Sequence, residues 1–277
     1  MYGFLGPSQW NIDPLTSRFP FESPYSTFNC NPILYDDPTG KSGEASINKQ
    51  TKTITVTSTF VFYGSASSPE LAKQTASTIQ KSYNNAHGTV KIDGVVYNVQ
   101  FKVVGVDANT ALLSKFDKHT QEAALEKVIT SNKDIRVNYV RLENTTDDWA
   151  GVSYTEGTGG ANTGYWSTDQ MAKNKGTTEP HEYNHSLGGL GHPEALNRSG
   201  GNLDQEPSID MTVNSYNYAK QKYRKTGADG NVLMDVTKRQ VRQKNISSLF
   251  TKDVISQLKS SGKANLGKLT NEYHKKK

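Results

Sequence analysis

Residues 177–194 read Thr-Thr-Glu-Pro-His-Glu-Tyr-Asn-His-Ser-Leu-Gly-Gly-Leu-Gly-His-Pro-Glu. His181 and His185 stand four positions apart, so on a helix they share one face and both imidazoles can point at one ion. Zinc suits them, because imidazole binds it at about 2.0–2.1 Å and a catalytic site takes three protein ligands plus water. Glu182 is placed to accept a proton from that water and pass it to a leaving amine. The chain has one cysteine, Cys30, and six histidines, three of which fall within this stretch. A cysteine-based zinc site and a disulfide framework are thereby excluded, and histidine is left as the soft ligand.

A helix is required to present the pair, and its ends are legible. Proline is tolerated only in a helix's first turn, so Pro180 sets the start near Thr178, which would act as N-cap. Gly188, Gly189 and Gly191 are poor helix residues and tolerate the left-handed conformation that ends one. The chain can then turn back and bring His192 to the ion, with Glu194 as the competing third ligand.

Further elements must carry this helix. Ile54, Val56, Ser58, Phe60 and Phe62 alternate as a half-buried strand. Ser68-Pro69-Glu70 supplies an N-cap and an N1 proline for a helix that aligns Leu71, Ala72, Thr75, Ile79 and Tyr83. Residues 90–106 predict a strand pair turning at Asp93-Gly94. Residues 110–130 predict a helix, residues 135–142 a strand, and the glycine-rich 151–166 an edge strand with its turn. Thr251 would cap a later helix carrying Val254, Ile255 and Leu258. This order predicts an α+β fold with a mixed sheet, without internal repeats. His87 and His119 read as surface residues, His274 as part of a frayed tail, and Cys30 as inert.

The spacing around the histidines resembles the metzincin zinc peptidases, whose pattern is HExxHxxGxxH. One departure stands out: the third histidine falls at 192, while position 191 is Gly191. A one-residue insertion in the glycine-rich turn absorbs that shift. Metzincins also carry a methionine turn beneath the metal. Gly230-Asn231-Val232-Leu233-Met234-Asp235 is similar to it, 42 residues beyond His192. The resemblance spans about residues 50–262. It implies a twisted mixed sheet, an active-site helix and a C-terminal helix. It also implies zinc on His181, His185 and His192, Glu182 as the group that activates water, and endopeptidase activity on a protein or peptide. Gly159-Gly160-Ala161-Asn162 would lie on a cleft rim where an edge strand pairs with extended substrate, or form an ordinary loop. A tyrosine that assists the oxyanion in related enzymes is not singled out among Tyr216, Tyr218 and Tyr223.

The first forty residues differ, holding six of the ten prolines and no lasting periodicity. Asp13-Pro14-Leu15, Ser23-Pro24-Tyr25, Asn31-Pro32 and Asp37-Pro38-Thr39-Gly40, in that order, resemble the closing segment of an RHS repeat-associated core. Residues 1–41 are read as that segment, 42–50 as a linker, and 51–277 as the peptidase domain with a basic tail. The resemblance implies a bacterial toxin shell whose C-terminal effector is the peptidase. It further implies a cognate immunity protein, and delivery outside the producing cell. Self-cleavage near Lys41 would involve Asp36 or Asp37, with Pro38 and Gly40 completing the motif. Equally, Asp37-Pro38-Thr39-Gly40 is a good turn.

Composition narrows the alternatives. Hydrophobic residues make up 34% and aromatics 9%, which argues against wholesale disorder. No apolar run is long enough to span a membrane, and Met1–Gln9 lacks the pattern of a signal peptide. The net charge of +5 is uneven, with 15 basic and 4 acidic residues from Lys220 onward. That tail motivates a rival reading as a nucleic-acid-directed toxin, although its three aromatic residues, Tyr223, Phe250 and Tyr273, form no sustained interleaving with its basic ones. A third reading, a metal-binding pseudopeptidase, follows from the shifted His192.

Overall fold

Alternation along one strand sets the architecture. The computed structural model describes residues 42–117, 120–144, 152–153, 160–189, 224–226, 232–234 and 240–276. Strand β1 (Gly43–Asn48) forms a hairpin with β2 (Thr53–Tyr63). Residues 42–50 are therefore not a linker. β1 carries only two apolar side chains, Ala45 and Ile47, so its strand character comes from its pairing partners. β2 buries Ile54, Val56, Phe60 and Phe62 on one face, as its period of two requires.

Helix α1 (Pro69–Asn84) follows, with the Ser68 hydroxyl accepting from the Leu71 amide at 3.2 Å and proline at its start. Its buried face is Ala72, Thr75, Ala76, Ile79 and Tyr83. β3 (Thr89–Ile92) and β4 (Val95–Asp107) turn at Asp93 and Gly94, both at positive φ as a tight hairpin demands. β4 then runs parallel to β2. Two amide side chains of α1 close its outer edge. Asn84 donates to the Phe101 carbonyl at 3.1 Å and accepts from its amide at 2.8 Å, and Gln80 accepts from the Val103 amide at 2.9 Å. They substitute for a neighbouring strand.

The single helix expected over 110–130 is broken. α2 (Ala108–Ala111) and a 3-10 turn (Leu113–Lys115) precede α3 (Gln121–Thr130). Asp117 accepts from the Thr120 amide at 3.3 Å, a local side-chain bond that competes with helix continuation. The Gln121 amide donates to the Leu113 and Phe116 carbonyls at 2.9 and 3.1 Å.

β5 (Val137–Glu143) is parallel to β2, and β7 (Thr163–Ser167) is parallel to β5. The short β6 (Val152–Ser153) pairs antiparallel on the far side of β7, as the expected edge strand. α4 (Thr168–Lys173) and α5 (Thr178–Ser186) come next. A separate ribbon joins β8 (Arg224–Thr226) and β9 (Val232–Met234). α6 (Gln243–Leu249), α7 (Lys252–Ser261) and β10 (Lys263–Leu266) complete the order, with β10 antiparallel to β1. The Thr251 hydroxyl caps α7 as expected, accepting from the Val254 amide at 3.4 Å. The fold is α+β around an eight-stranded mixed sheet. The described residues fall within one unit, Thr39–Lys277. None of their helices is long and apolar enough to cross a membrane.

The tail is not frayed. Tyr273 stacks on Tyr63 with ring centroids 5.8 Å apart, and the buried His274 donates its amide to the Tyr63 hydroxyl at 3.2 Å. Arg141, itself bonded to Glu143 at 2.7 Å, donates to the His274 carbonyl at 3.1 Å. Asn162 is the main anchor. Its Oδ1 accepts from the amides of Thr270 and Asn271 at 2.8 and 3.0 Å, and its Nδ2 donates to Asn271 Oδ1 at 2.8 Å. Asn162→Ala leaves two main-chain donors without this partner, and a loss of about 2–3 kcal/mol is expected. Urea unfolding measures it, and a change below ~0.5 kcal/mol would show that the tail is not held there.

Candidate metal centre

All nine residues of α5 are buried, including Glu179, His181, Glu182 and His185. So polar a helix needs specific partners, since burying charge without them is costly. The helix starts at Thr178, but Thr177 occupies the capping position and makes no side-chain cap bond. Thr178 instead accepts from the Asn174 amide side chain at 2.9 Å. Pro180 therefore sits in the first turn, where its missing N–H costs nothing.

The glycines end the helix as expected. Gly188 takes a left-handed φ of 78° and donates to the His185 carbonyl at 2.9 Å. Gly189 donates to the Asn184 carbonyl, also at 2.9 Å. This pair of bonds satisfies carbonyls that the last turn leaves open. The chain thus leaves α5 in a sharp turn directly after His185.

With 100° per residue, Tyr183 points away from His181 and His185. Its ring packs edge-on against Phe60 and Tyr83, at centroid distances of 5.6 and 5.1 Å. Its hydroxyl bonds Ser58 Oγ at 2.9 Å. Burial pushes its phenol well above the ordinary tyrosine range, so it stays neutral. The opposite face carries the histidines. Their Nε2 atoms lie 3.3 Å apart, with rings nearly perpendicular at 80°. Two nitrogen ligands at about 2.0–2.1 Å around a tetrahedral ion stand roughly 3.3–3.4 Å apart. The separation of the two nitrogens is that of two ligands on one zinc ion, and it is equally a hydrogen-bond distance between the two rings. Glu182, also buried, is the adjacent carboxylate.

Among the described residues no three of His, Cys, Asp and Glu gather around one point. His192 and its competitor Glu194 lie outside the described residues, as do His119, Cys30, Tyr216, Tyr218, Tyr223, Asp36, Asp37, Pro38 and Gly40. Met234 is the last residue of β9, where its backbone pairs with Arg224, and the residues that follow it, 235–239, lie outside the described residues. His87 is an exposed residue just after α1.

Of Gly159–Asn162, Gly159 lies outside the described residues and the other three are buried. Ala161 and Asn162 are fully buried. A Cβ at Gly160 would stand 2.6 Å from the Gly267 Cα and 2.9 Å from the Ser186 carbonyl oxygen. The last turn of α5, the start of β7 and the chain after β10 meet there backbone to backbone. Spacing in sequence carries no sign of such an approach.

Glu179 is a buried carboxyl of α5 that periodicity left unnoticed. Burial raises its carboxyl to about 7, against a bond from its own amide that lowers it. Among the described residues its Oε2 has no hydrogen-bond partner. A carboxyl raised on folding is protonated in both states below about pH 4, and its fold-stabilising neutral form is lost as pH rises to about 7. Glu179→Gln removes that loss. The variant is expected to gain about 3 kcal/mol relative to the parent between pH 4.5 and 8. Paired denaturant titrations at both pH values measure it, and a constant difference would sink the assignment.

In comparisons with known protein families, curated proteins and solved structures, nothing matches this chain.

Proposed function

We propose that the chain is a zinc-dependent endopeptidase of metzincin type, carried as the C-terminal effector of an RHS-type bacterial toxin. The observation that carries the reading is the buried His181–His185 pair, with 3.3 Å between its Nε2 atoms and Glu182 beside it. His181 and His185 would hold the ion, with His192 as third ligand. Zinc supplies Lewis acidity, which polarises a carbonyl and lets water act as a nucleophile near neutral pH. Glu182 takes the proton from the attacking water at a carboxylate oxygen and delivers it to the departing amine. Its burial weakens competition from bulk water and strengthens each charge interaction in the site. The mixed sheet and the histidine helix support this reading, since the resemblance implies a mixed sheet and an active-site helix.

The toxin assignment rests on the proline-rich motifs of residues 1–41. It entails a cognate immunity protein and delivery into a target cell. The test is incubation of the zinc-loaded chain with a proteome lysate, with RNA and DNA in parallel, using Glu182→Gln as control. New N-termini, read by mass spectrometry, are expected only with the parent chain. Cleaved nucleic acid would favour the basic-tail reading instead. Bound zinc without new N-termini would identify a pseudopeptidase.

A further inference from the structure

Tyr83 is fully buried, yet its hydroxyl is wired into α5 and not left in apolar surroundings. It donates to the Pro180 carbonyl at 3.2 Å and accepts from the Asn184 amide side chain at 2.7 Å. Pro180 directly precedes His181, and Asn184 directly precedes His185. One phenol on α1 thus grips the helix on both sides of its first full turn, next to each histidine. The ring itself is fixed by contact with Phe101 at 4.5 Å and Tyr183 at 5.1 Å. A phenylalanine would fill the same space, so packing alone does not call for the oxygen.

The rotation of α5 about its axis decides where the two imidazoles point. The Tyr183–Ser58 bond holds the helix to β2, and Ser58 in turn donates to the Ser42 carbonyl at 3.1 Å. That link, with the Phe60 ring against Tyr183, fixes the helix on its β2 side. The Tyr83 bridge adds two more points from a different element. Rotation by one-tenth of a turn at the roughly 6 Å radius of a side-chain nitrogen moves it by several ångströms, far outside a coordination sphere.

We propose that Tyr83 is a positioning residue of the metal centre, holding His181 and His185 in register through Pro180 and Asn184. The inference rests on the zinc reading above. Removing a group bonded directly to a metal ligand typically costs 10–100-fold in metal affinity, and Tyr83, which acts through the residues next to the histidines, is expected at the low end of that range.

The test uses the whole chain, with zinc affinity measured by competition against a chromophoric chelator. The visible spectrum of the cobalt-substituted protein is recorded alongside. Tyr83→Phe is expected to weaken zinc binding about 10-fold and to alter the cobalt bands. Asn184→Leu breaks the same bridge from the other end. The double variant should be no weaker than the worse single, because both changes cut one connection. Ile246→Val, in α6 and away from α5, serves as a stability control that should leave affinity and spectrum unchanged. If the parent takes up no zinc, the peptidase reading itself falls. If the parent binds zinc and both single variants match it in affinity and spectrum, the positioning role alone is overturned. Should one variant fail to fold, the other decides.

Discussion

Glu182→Gln is expected to retain zinc at the parent's level and to lose cleavage by about 10²–10⁴-fold, the range for removal of a positioned general base. In barrier terms the loss is roughly 3–5 kcal/mol. Glutamine matches glutamate in shape, so the buried position keeps its packing while the proton acceptor disappears. The helix does not depend on the charge: it is anchored through Tyr183 to Ser58 and through Asn184 to Tyr83. Metal content by atomic emission and the rate on any substrate found in the lysate digest separate the two effects. A variant that cuts as fast as the parent would remove Glu182 from the mechanism. A variant that loses zinc would make it a ligand instead.

The second large effect is on stability. Gly267 has φ of +83°, and a Cβ there would stand 2.2 Å from the Ser186 carbonyl oxygen and 2.8 Å from Ser42. Gly267→Ala forces a left-handed alanine, at about 1–2 kcal/mol, and a backbone overlap worth a further 1–3 kcal/mol. Melting is expected to fall by roughly 4–20 °C for a domain of this size. Gly262 supplies the comparison: it shares a φ of +77°, but a Cβ there meets nothing within 4 Å. Gly262→Ala should cost only the backbone part. Equal losses at the two positions would contradict the close approach of the chain after β10 to the end of α5. Because Ser186 follows His185, Gly267→Ala should also lower zinc affinity, which Gly262→Ala should not.

Much of the fold was legible where the cause is local. The alternation from Ile54 to Phe62 gives β2, Ser68-Pro69 starts α1, Asp93-Gly94 turns a hairpin, and Thr251 caps α7. The elements that sequence reading mistook depend on distant partners. β1 exists because β2 and β10 flank it. The helix expected over 110–130 breaks because Asp117 and Gln121 satisfy backbone groups through their side chains. The tail reads as frayed because its anchors, Asn162 and Arg141, lie more than a hundred positions away.

For the candidate site the division is sharper. Four-residue spacing puts His181 and His185 on one face, and Gly188 ends their helix, because both depend only on backbone geometry within one or two turns. Whether that face is buried, how far apart the nitrogens stand, and what prevents the helix from rotating are matters of packing. They follow from Phe60 and Ser58 on β2, from Tyr83 on α1 and from the glycine contacts behind Ser186. The sequence by itself determined a pair of histidines on one helix face and a neighbouring carboxylate. Only the tertiary structure decided that they sit in a water-poor interior with their Nε2 atoms 3.3 Å apart, since contacts between residues a hundred positions apart leave no periodic trace along the chain.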